Sequence, residues 1–372
     1  MEMESKFNTK LEELKAEGNF RILPEQPGPN LLNLCSNDYL GLGNDEHLYK
    51  EFLSGLSQKR VPFTASSSRL LSGNSKEYGQ LESLISTAYG KEACLLYNSG
   101  YHANVGIISA LAGKNDLIIS DKLIHASLID GIRLSKANVL RFRHLDYDHL
   151  EQILVNHRSE YDQAFILSES IFSMDGDLAD LEKLVELKQK FNCFLYLDEA
   201  HAVGAVGQKG LGLAETFDLI SEVDFMVGTF GKALASVGAF VCCKKLFKDY
   251  LVNHSRTLIY TTALPPINLA WSKFIFERLP DFQPLRTELQ QLSCHFAQKL
   301  RQTPQSHIIP FVIGSNEATI AQSKLLQKNG FHVLPIRYPT VPKGTARLRF
   351  SLNAKMTTAQ LQPIIKRLKG NE

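Results

Sequence analysis

Residues 194–241, FLYLDEAHAVGAVGQKGLGLAETFDLISEVDFMVGTFGKALASVGAFV, decide how this chain is read. An apolar run, Phe194–Leu197, stops at Asp198, Glu199 and His201. A second run, Phe225–Val227, stops at Thr229 and Lys232. Short apolar runs bounded by turn-forming residues suit buried strands of a parallel sheet. Ligands of such sheets sit beyond the carboxyl ends of the strands. A carboxylate and a lysine should therefore face one crevice from neighbouring strands.

That pair has a specific chemical use. Pyridoxal phosphate needs a lysine amine for its Schiff base and an acid beside its pyridine nitrogen. The carboxylate keeps the nitrogen protonated, so that the ring can take up electrons. Lys232 stands among small residues, Gly231, Ala233, Ala235, Ser236 and Gly238, which leave room for a planar ring. Taken singly, a strand ending in Asp is ordinary and a loop lysine is solvated surface. The two together, at this spacing, carry the reading. Asp-Glu-Ala-His after an apolar run also occurs in helicase-type nucleotide hydrolases, which require an upstream G-x-x-x-x-G-K-[ST] loop. None is present; Gly228–Lys232 is too short, lies downstream and is followed by Ala233.

The chain of 372 residues is long enough for one large domain and a smaller one. Its 41 Lys and Arg balance 39 Asp and Glu, which gives no electrostatic case for nucleic acid or an anionic membrane. Met1–Phe20 is charged and amphipathic, with no signal-peptide core, and no apolar run is long enough to span a bilayer. The six cysteines form no C-x-x-C, as in a reduced cytoplasmic protein, and no metal site is expected.

Outward from the central stretch, the chain alternates. Met1–Gly18 reads as an amphipathic helix, followed by Arg21 and a Pro/Gly-rich link at Pro24–Pro29. Leu31–Leu34 reads as a short strand leading to the turn formers Asn37 and Asp38. Glu77–Tyr89 is a helix by its apolar spacing. Ala93–Tyr97 is a strand running through Asn98-Ser-Gly-Tyr-His-Ala-Asn104 into a helix at Val105–Ala112. A strand, a Ser-Gly turn and a helix N-terminus can bind a phosphate without a lysine. Leu117–Ser120 is a strand with His125 beyond its end, and Ala164–Leu167 another, ending in Glu169. A helix follows at Leu178–Lys190. This order predicts an α/β fold with a largely parallel sheet. Past Val241 a helix at Lys244–Asn253, a short strand and turn at Thr257–Pro266 and a helix at Ile267–Phe276 are expected. Gln322–Asn329 reads as a helix with Gly330 at its end. Thr345–Asn353 alternates as a strand, with Arg347 and Arg349 on its polar face. Such arginines are usually solvated, but one could grip a substrate carboxylate.

These features together resemble the α-oxoamine synthases, fold-type I pyridoxal-phosphate enzymes, from Arg21 to about Asn353. The resemblance rests on SNDYLGL (Ser36–Leu42), SRLLSGN (Ser68–Asn74), NSGYHAN (Asn98–Asn104), HASL (His125–Leu128), FSMDGD (Phe172–Asp177), DEAHAVGAVG (Asp198–Gly207), TFGKA (Thr229–Ala233) and PTVPKGTARLRF (Pro339–Phe350). It implies a mostly parallel central sheet flanked by helices, with a smaller C-terminal α+β domain. The expected divisions are an N-terminal arm (1–45), a large cofactor-binding domain (46–278) and a small domain (279–372). It also implies roles. Lys232 carries the Schiff base and acts as general base, Asp198 pairs with the pyridine nitrogen, His201 bonds the ring hydroxyl and His125 stacks on the ring. Gly100, Tyr101, Ser173 and Thr229 line the cofactor. Asn37 and Arg349 hold the amino-acid carboxylate, with Arg21 and Thr340 also on the substrate. Thr261 and Thr262 reach the phosphate of a neighbouring subunit's cofactor, so a homodimer with shared sites is implied. The implied reaction joins L-alanine to a pimeloyl thioester, on CoA or an acyl carrier protein. Glycine or serine with other acyl-CoAs are sister activities, and a silent partner subunit is disfavoured by the intact Lys232, Asp198 and His201. One departure is Ala65-Ser-Ser-Ser68, where the family often has glycines; it weakens inference about the acyl donor only.

Overall fold

The protein is described by a computed structural model covering residues 2–24, 28, 30–56 and 60–370. Residues 25–27 and 29 of the expected Pro/Gly-rich link, and Met1 of the first helix, lie outside the described residues. The chain divides into two compact units. One comprises Asp38–Ser173 and Asp177–Glu288; the other comprises Met1–Asn37, Met174–Gly176 and Leu289–Glu372.

The larger unit is built on a seven-stranded sheet: β1 (Ala93–Tyr97), β2 (Leu117–Asp121), β3 (Asn138–Phe142), β4 (Ala164–Glu169), β5 (Phe194–Asp198), β6 (Phe225–Thr229) and β7 (Ala239–Cys243). Their spatial order is β1-β7-β6-β5-β4-β2-β3. The β3, β2, β4, β5 and β6 strands run parallel, and β7 alone is antiparallel to its neighbours β6 and β1. Six of the strands are buried almost throughout, which is why they read as continuous apolar runs. The exception is β3, an edge strand with exposed Asn138, Val139 and Arg141, which lacks the apolar run that marks the others. An aromatic cluster of Phe165, Phe194, Phe225 and Phe247 fills one layer beside β4, β5 and β6.

Several local readings are corrected. The helix expected from Val105 begins at Gly100, so most of the NSGYHAN stretch is helical (α1, Gly100–Leu111). Ser99 starts it by accepting the amide of His102. Thr257–Pro266 holds no strand: Arg256–Ile259 is a short helix, and a longer one runs over Pro266–Glu277. Pro265 and Pro266 supply the turn and the first helical position.

The smaller unit contains a three-stranded antiparallel sheet in the order Pro335–Ile336, Ala346–Ser351, Ile308–Gly314. Leu32–Asn33 pairs in parallel with Phe331–His332. The helix expected at Gln322 starts earlier and spans Asn316–Lys328; Gly330 adopts the left-handed conformation just beyond it. All six cysteines are free. No helix among the described residues is long and apolar enough to cross a membrane.

Candidate active site

The site of the larger unit is assembled at the carboxyl ends of β4, β5 and β6. Asp198, the last residue of β5, is in register with Glu169 on β4 and Val227 on β6. Lys232 follows β6 in a tight loop closed by backbone bonds from Phe230 N to Gly238 O and Ser236 N to Phe230 O (2.9 and 2.8 Å). Gly238 has φ 111°, and a Cβ there would meet Leu264 Cδ1 at 2.9 Å and Tyr97 O at 3.1 Å. Only glycine fits, so the loop carrying Lys232 is held against β1.

Asp198 is buried and accepts two hydrogen bonds, from Asn104 Nδ2 (2.7 Å) and from the Ala200 amide (2.9 Å). The Tyr196 hydroxyl donates to Asn104 Oδ1 (2.6 Å), and Asn104 Nδ2 also reaches Ser127 Oγ (2.9 Å). Ser127 in turn lies 2.7 Å from His125 Nδ1, and its amide donates to the same nitrogen at 3.2 Å. His125 thereby caps a second helix, α2 (Ala126–Leu134). The His125 amide donates to Glu169 Oε1 at 2.5 Å.

These contacts set the electrostatics. Burial first, and then the neighbouring Asp198, push Glu169 up to about 8 against the pull of Lys232 and of the His125 and Ser173 amides. His125 is exposed by surface area, yet the protein packed round its ring lowers its pKa by desolvation. Asp198 opposes that shift and Lys232 adds to it. Burial also raises Tyr196 well above the ordinary range, so its hydroxyl remains a donor.

On the same loop as Asp198, the buried His201 has its Nδ1 2.6 Å from the Tyr39 hydroxyl. At the other end of the crevice, the N-terminus of α1 stands beside β6: a Cβ on Gly100 would lie 3.9 Å from Thr229 Cβ. Tyr101 is exposed, its hydroxyl donating to Asp130 (2.7 Å). Asn98 donates to Thr261 Oγ1 (3.2 Å) and to the Thr262 carbonyl (2.6 Å), so both threonines adjoin the start of α1 within one chain. The smaller unit holds the remaining expected residues. Arg349 is buried, not solvated, and bonds Asn37 Oδ1 (3.2 Å) and Ser351 Oγ (2.6 Å). Its neighbour Arg347 is buried as well and pairs with Asp175. Arg21 donates to Thr340 Oγ1 (3.3 Å) at a groove of about 430 Å³ whose walls include Ile22, Leu23, Ile336 and Tyr338.

The aminotransferase class I and II family matches residues 29–368. The chain belongs to this family. A relative from Neisseria meningitidis serogroup A, provisionally named 8-amino-7-oxononanoate synthase, is 49% identical over 371 residues, covering 96% of this chain and 98% of its own. Serine palmitoyltransferase from S. paucimobilis, solved with bound cofactor and myriocin, superposes with a TM-score of 0.88 at 28% identity, covering 98% and 96% of the two chains. A crystal structure of 8-amino-7-oxononanoate synthase from Francisella tularensis gives 0.78 at 30% identity over 92% and 97%. The fold is that of the fold-type I enzymes, and the chain is a pyridoxal-phosphate-dependent acyltransferase of the α-oxoamine synthase group.

The side chains present fit that cofactor. A buried, acceptor-only carboxylate suits a pyridine N–H, a lysine suits the aldehyde, and a twelve-residue helix N-terminus suits the phosphate. Within the larger unit the fold gathers His125, Asp198, His201, Lys232, Thr229 and Gly100. It also brings in residues that sequence reading passed over: Asn104, Ser127, Tyr196, Glu169 and Tyr39. Two of these had a signal. Asn104 lies one helical turn after Gly100, on the face towards the strand ends, and Ser127 follows His125 by the spacing of a helix cap.

Proposed function

We propose that the chain joins L-alanine to a pimeloyl thioester, releasing carbon dioxide and the free thiol and forming 8-amino-7-oxononanoate. The observation that carries the chemistry is the placement of Asp198 and Lys232 beyond adjacent parallel strands, with His125 tied to the same network. The choice of substrates is supported by relatives at 49% identity along nearly the whole chain. Likeness of fold does not choose, since the serine palmitoyltransferase has the higher TM-score.

Bound pyridoxal phosphate supplies an aldehyde that captures amines and a ring that takes up the charge of a carbanion. In this reading Lys232 would hold the cofactor through its aldehyde until the alanine amine displaces it, and its freed Nζ would take the alanine Cα proton and later return a proton there. Asp198 faces the pyridine nitrogen, and Asn104 and Ala200 hold the carboxylate in that orientation. His201, whose Nδ1 lies against the Tyr39 hydroxyl, is the residue proposed for the ring hydroxyl. His125 covers the ring face. Gly100, Tyr101, Ser173 and Thr229 line the rest of the cofactor. Arg349, with Asn37, holds the alanine carboxylate until it leaves as carbon dioxide. Arg21 and Thr340 serve the far end of the acyl chain, which arrives on CoA or a carrier protein. The active form is a cytoplasmic homodimer in which Thr261 and Thr262 complete the partner's phosphate site.

Mass spectrometry of products from alanine, glycine and serine, each with acetyl, succinyl, pimeloyl and palmitoyl thioesters, tests the reading. Alanine with the pimeloyl thioester should dominate; glycine with a short acyl-CoA running faster would replace it with a sister activity. Arg349→Lys keeps the charge but loses the planar fork, so KM for alanine should rise roughly tenfold. Mixing Lys232→Ala with a Thr261→Ala/Thr262→Ala variant should restore some activity through hybrid sites, and no recovery on mixing would count against shared sites.

A further inference from the structure

The hydrogen bonds round His125 determine where its ring proton sits. The Ser127 amide points at Nδ1 from 3.2 Å, and an N–H can only donate, so Nδ1 presents its lone pair. Ser127 Oγ, 2.7 Å from the same nitrogen, has one hydrogen of its own. Since Nδ1 accepts from the amide and carries no proton, that hydrogen is the one between Oγ and Nδ1, while Oγ accepts from Asn104 Nδ2 at 2.9 Å. The orientation of the Asn104 amide is fixed in turn. Its second N–H donates to Asp198 Oδ2, and its carbonyl oxygen accepts from Tyr196. Turned over, the amide would set its carbonyl oxygen against the Asp198 carboxylate.

We propose that Tyr196, Asn104 and Ser127 form a chain of hydrogen bonds, anchored on Asp198, that holds His125 as the neutral tautomer with its proton on Nε2. Every link is buried except the histidine: Asn104, Ser127 and Tyr196 are each about 1% exposed. Satisfied buried networks of this kind fix a single arrangement. Glu169 adds to the effect by holding the His125 backbone amide. Desolvation of the ring, and the nearby Lys232, act in the same direction by disfavouring the doubly protonated form. Asn104 and Ser127 are then positioning residues: they act on the cofactor's neighbours rather than on the substrate. Because Nε2 carries the proton, His125 faces the site as a donor and not as a base, and proton removal falls to Lys232. The inference rests on reading this pocket as the cofactor site, but its test does not depend on turnover.

The test is long-range ¹H–¹⁵N correlation on protein labelled with ¹⁵N-histidine, both free of pyridoxal phosphate and loaded with it. Comparison with His125→Gln assigns the signal. Nδ1 should show the shift of an unprotonated ring nitrogen and Nε2 that of a protonated one, in both forms at neutral pH. Ser127→Ala keeps the backbone donor but removes the hydroxyl; it should give a mixture of tautomers and lower kcat by roughly fivefold, the worth of one hydrogen bond. A proton on Nδ1 in the unsubstituted protein overturns the proposal, as does a Ser127→Ala spectrum identical to it. The spectrum of the unsubstituted protein decides the tautomer even if a variant fails to fold. Failure of the alanine assay alone would remove the substrate reading and leave the tautomer standing.

Discussion

Asp198 and Glu199 are adjacent in the chain, both carboxylic acids and both buried, yet they face different surroundings. Asp198 is met by Asn104 and the Ala200 amide and lies electrostatically close to His125. Glu199 accepts from Ser170 Oγ (2.5 Å), the Leu213 amide (3.0 Å) and the Ala214 amide (2.8 Å), so it latches the segment that follows the DEAH loop. Gly212 there has φ 113°, and a Cβ would press on the Glu199 carboxylate at 2.8 Å. Burial raises Glu199 against the effect of those donors. Acid at a strand end therefore does not define a role. The donors around it do: mobile chemistry needs a carboxylate with a face to offer, whereas a latch uses its lone pairs on fixed amides.

The largest test of that division is Asp198→Asn, together with Lys232→Ala. Each should lower turnover by about 10²–10⁴-fold while the thermal midpoint changes little. Loss of the fold in Asp198→Asn, with full activity in whatever remains folded, would reverse the assignment. Glu199→Ala should show the opposite split. It leaves three buried donors unsatisfied, at about 1–3 kcal/mol each, so thermal unfolding should move down strongly while the folded fraction retains kcat. Glu199→Gln keeps an acceptor and should lose less.

Glu169 sharpens the comparison through pH. Its pKa in the fold is about 8 against 4.5 for an ordinary glutamate, so the unfolded chain gives up this proton first. Stability of the cofactor-free protein should therefore fall as pH rises from 4.5 to 8, and Glu169→Gln should remove that part of the slope. Thermal unfolding across this range measures it; an unchanged slope would show that Glu169 is charged at neutral pH. The smallest effect concerns Asp121, another strand-end acid. With Asp177 it brackets His144 (2.9 and 3.1 Å). Burial works against the charged ring, but the two carboxylates raise it to about 9 from 6.5. This stabilisation is complete below pH 6.5 and is lost as pH rises through 9, so the gap in midpoint between the unsubstituted protein and His144→Ala should narrow by a few degrees over that interval.

The inner strands were legible because both of their faces are covered, which leaves an unbroken apolar run such as Ile118-Ile119 or Ile166-Leu167. The edge strand β3 has solvent on one side and carries Arg141, so nothing in Asn138–Phe142 distinguishes it from a loop. The reversed direction of β7 was also hidden, because an apolar run reads alike in both directions. Lys232, Asp198 and His201 stood out through their spacing and the resemblance that followed. Asn104, Ser127 and Tyr196 did not, since asparagine and serine after a turn look like caps and a tyrosine within an apolar run looks like core. Their work exists only once β5, α1 and α2 are packed together. Arg349 shows the reverse limit: strand alternation placed it on a polar face, but the partners that bury it, Asn37 and Ser351, come partly from far away in the chain.

The antiparallel β7 has a consequence for the order in which the protein can be made. β1 lies at the edge of the sheet and, among the described residues, pairs only with β7, Ala93 opposite Cys243 and Tyr97 opposite Ala239. A ribosome must therefore extend the chain through Cys243 before β1 has any strand to join. Until then β1 has no partner strand, although Asn104 of α1 can already reach Asp198 and Ser127. Contacts so distant in sequence are closed late, because loop entropy must be overcome first. β2, β4, β5 and β6 find one another without that wait. A nascent chain stalled before Ala239 should protect the amides of Phe165–Leu167 and Leu195–Leu197 from exchange while those of Ala93–Tyr97 exchange freely, and release past Cys243 should close the sheet edge.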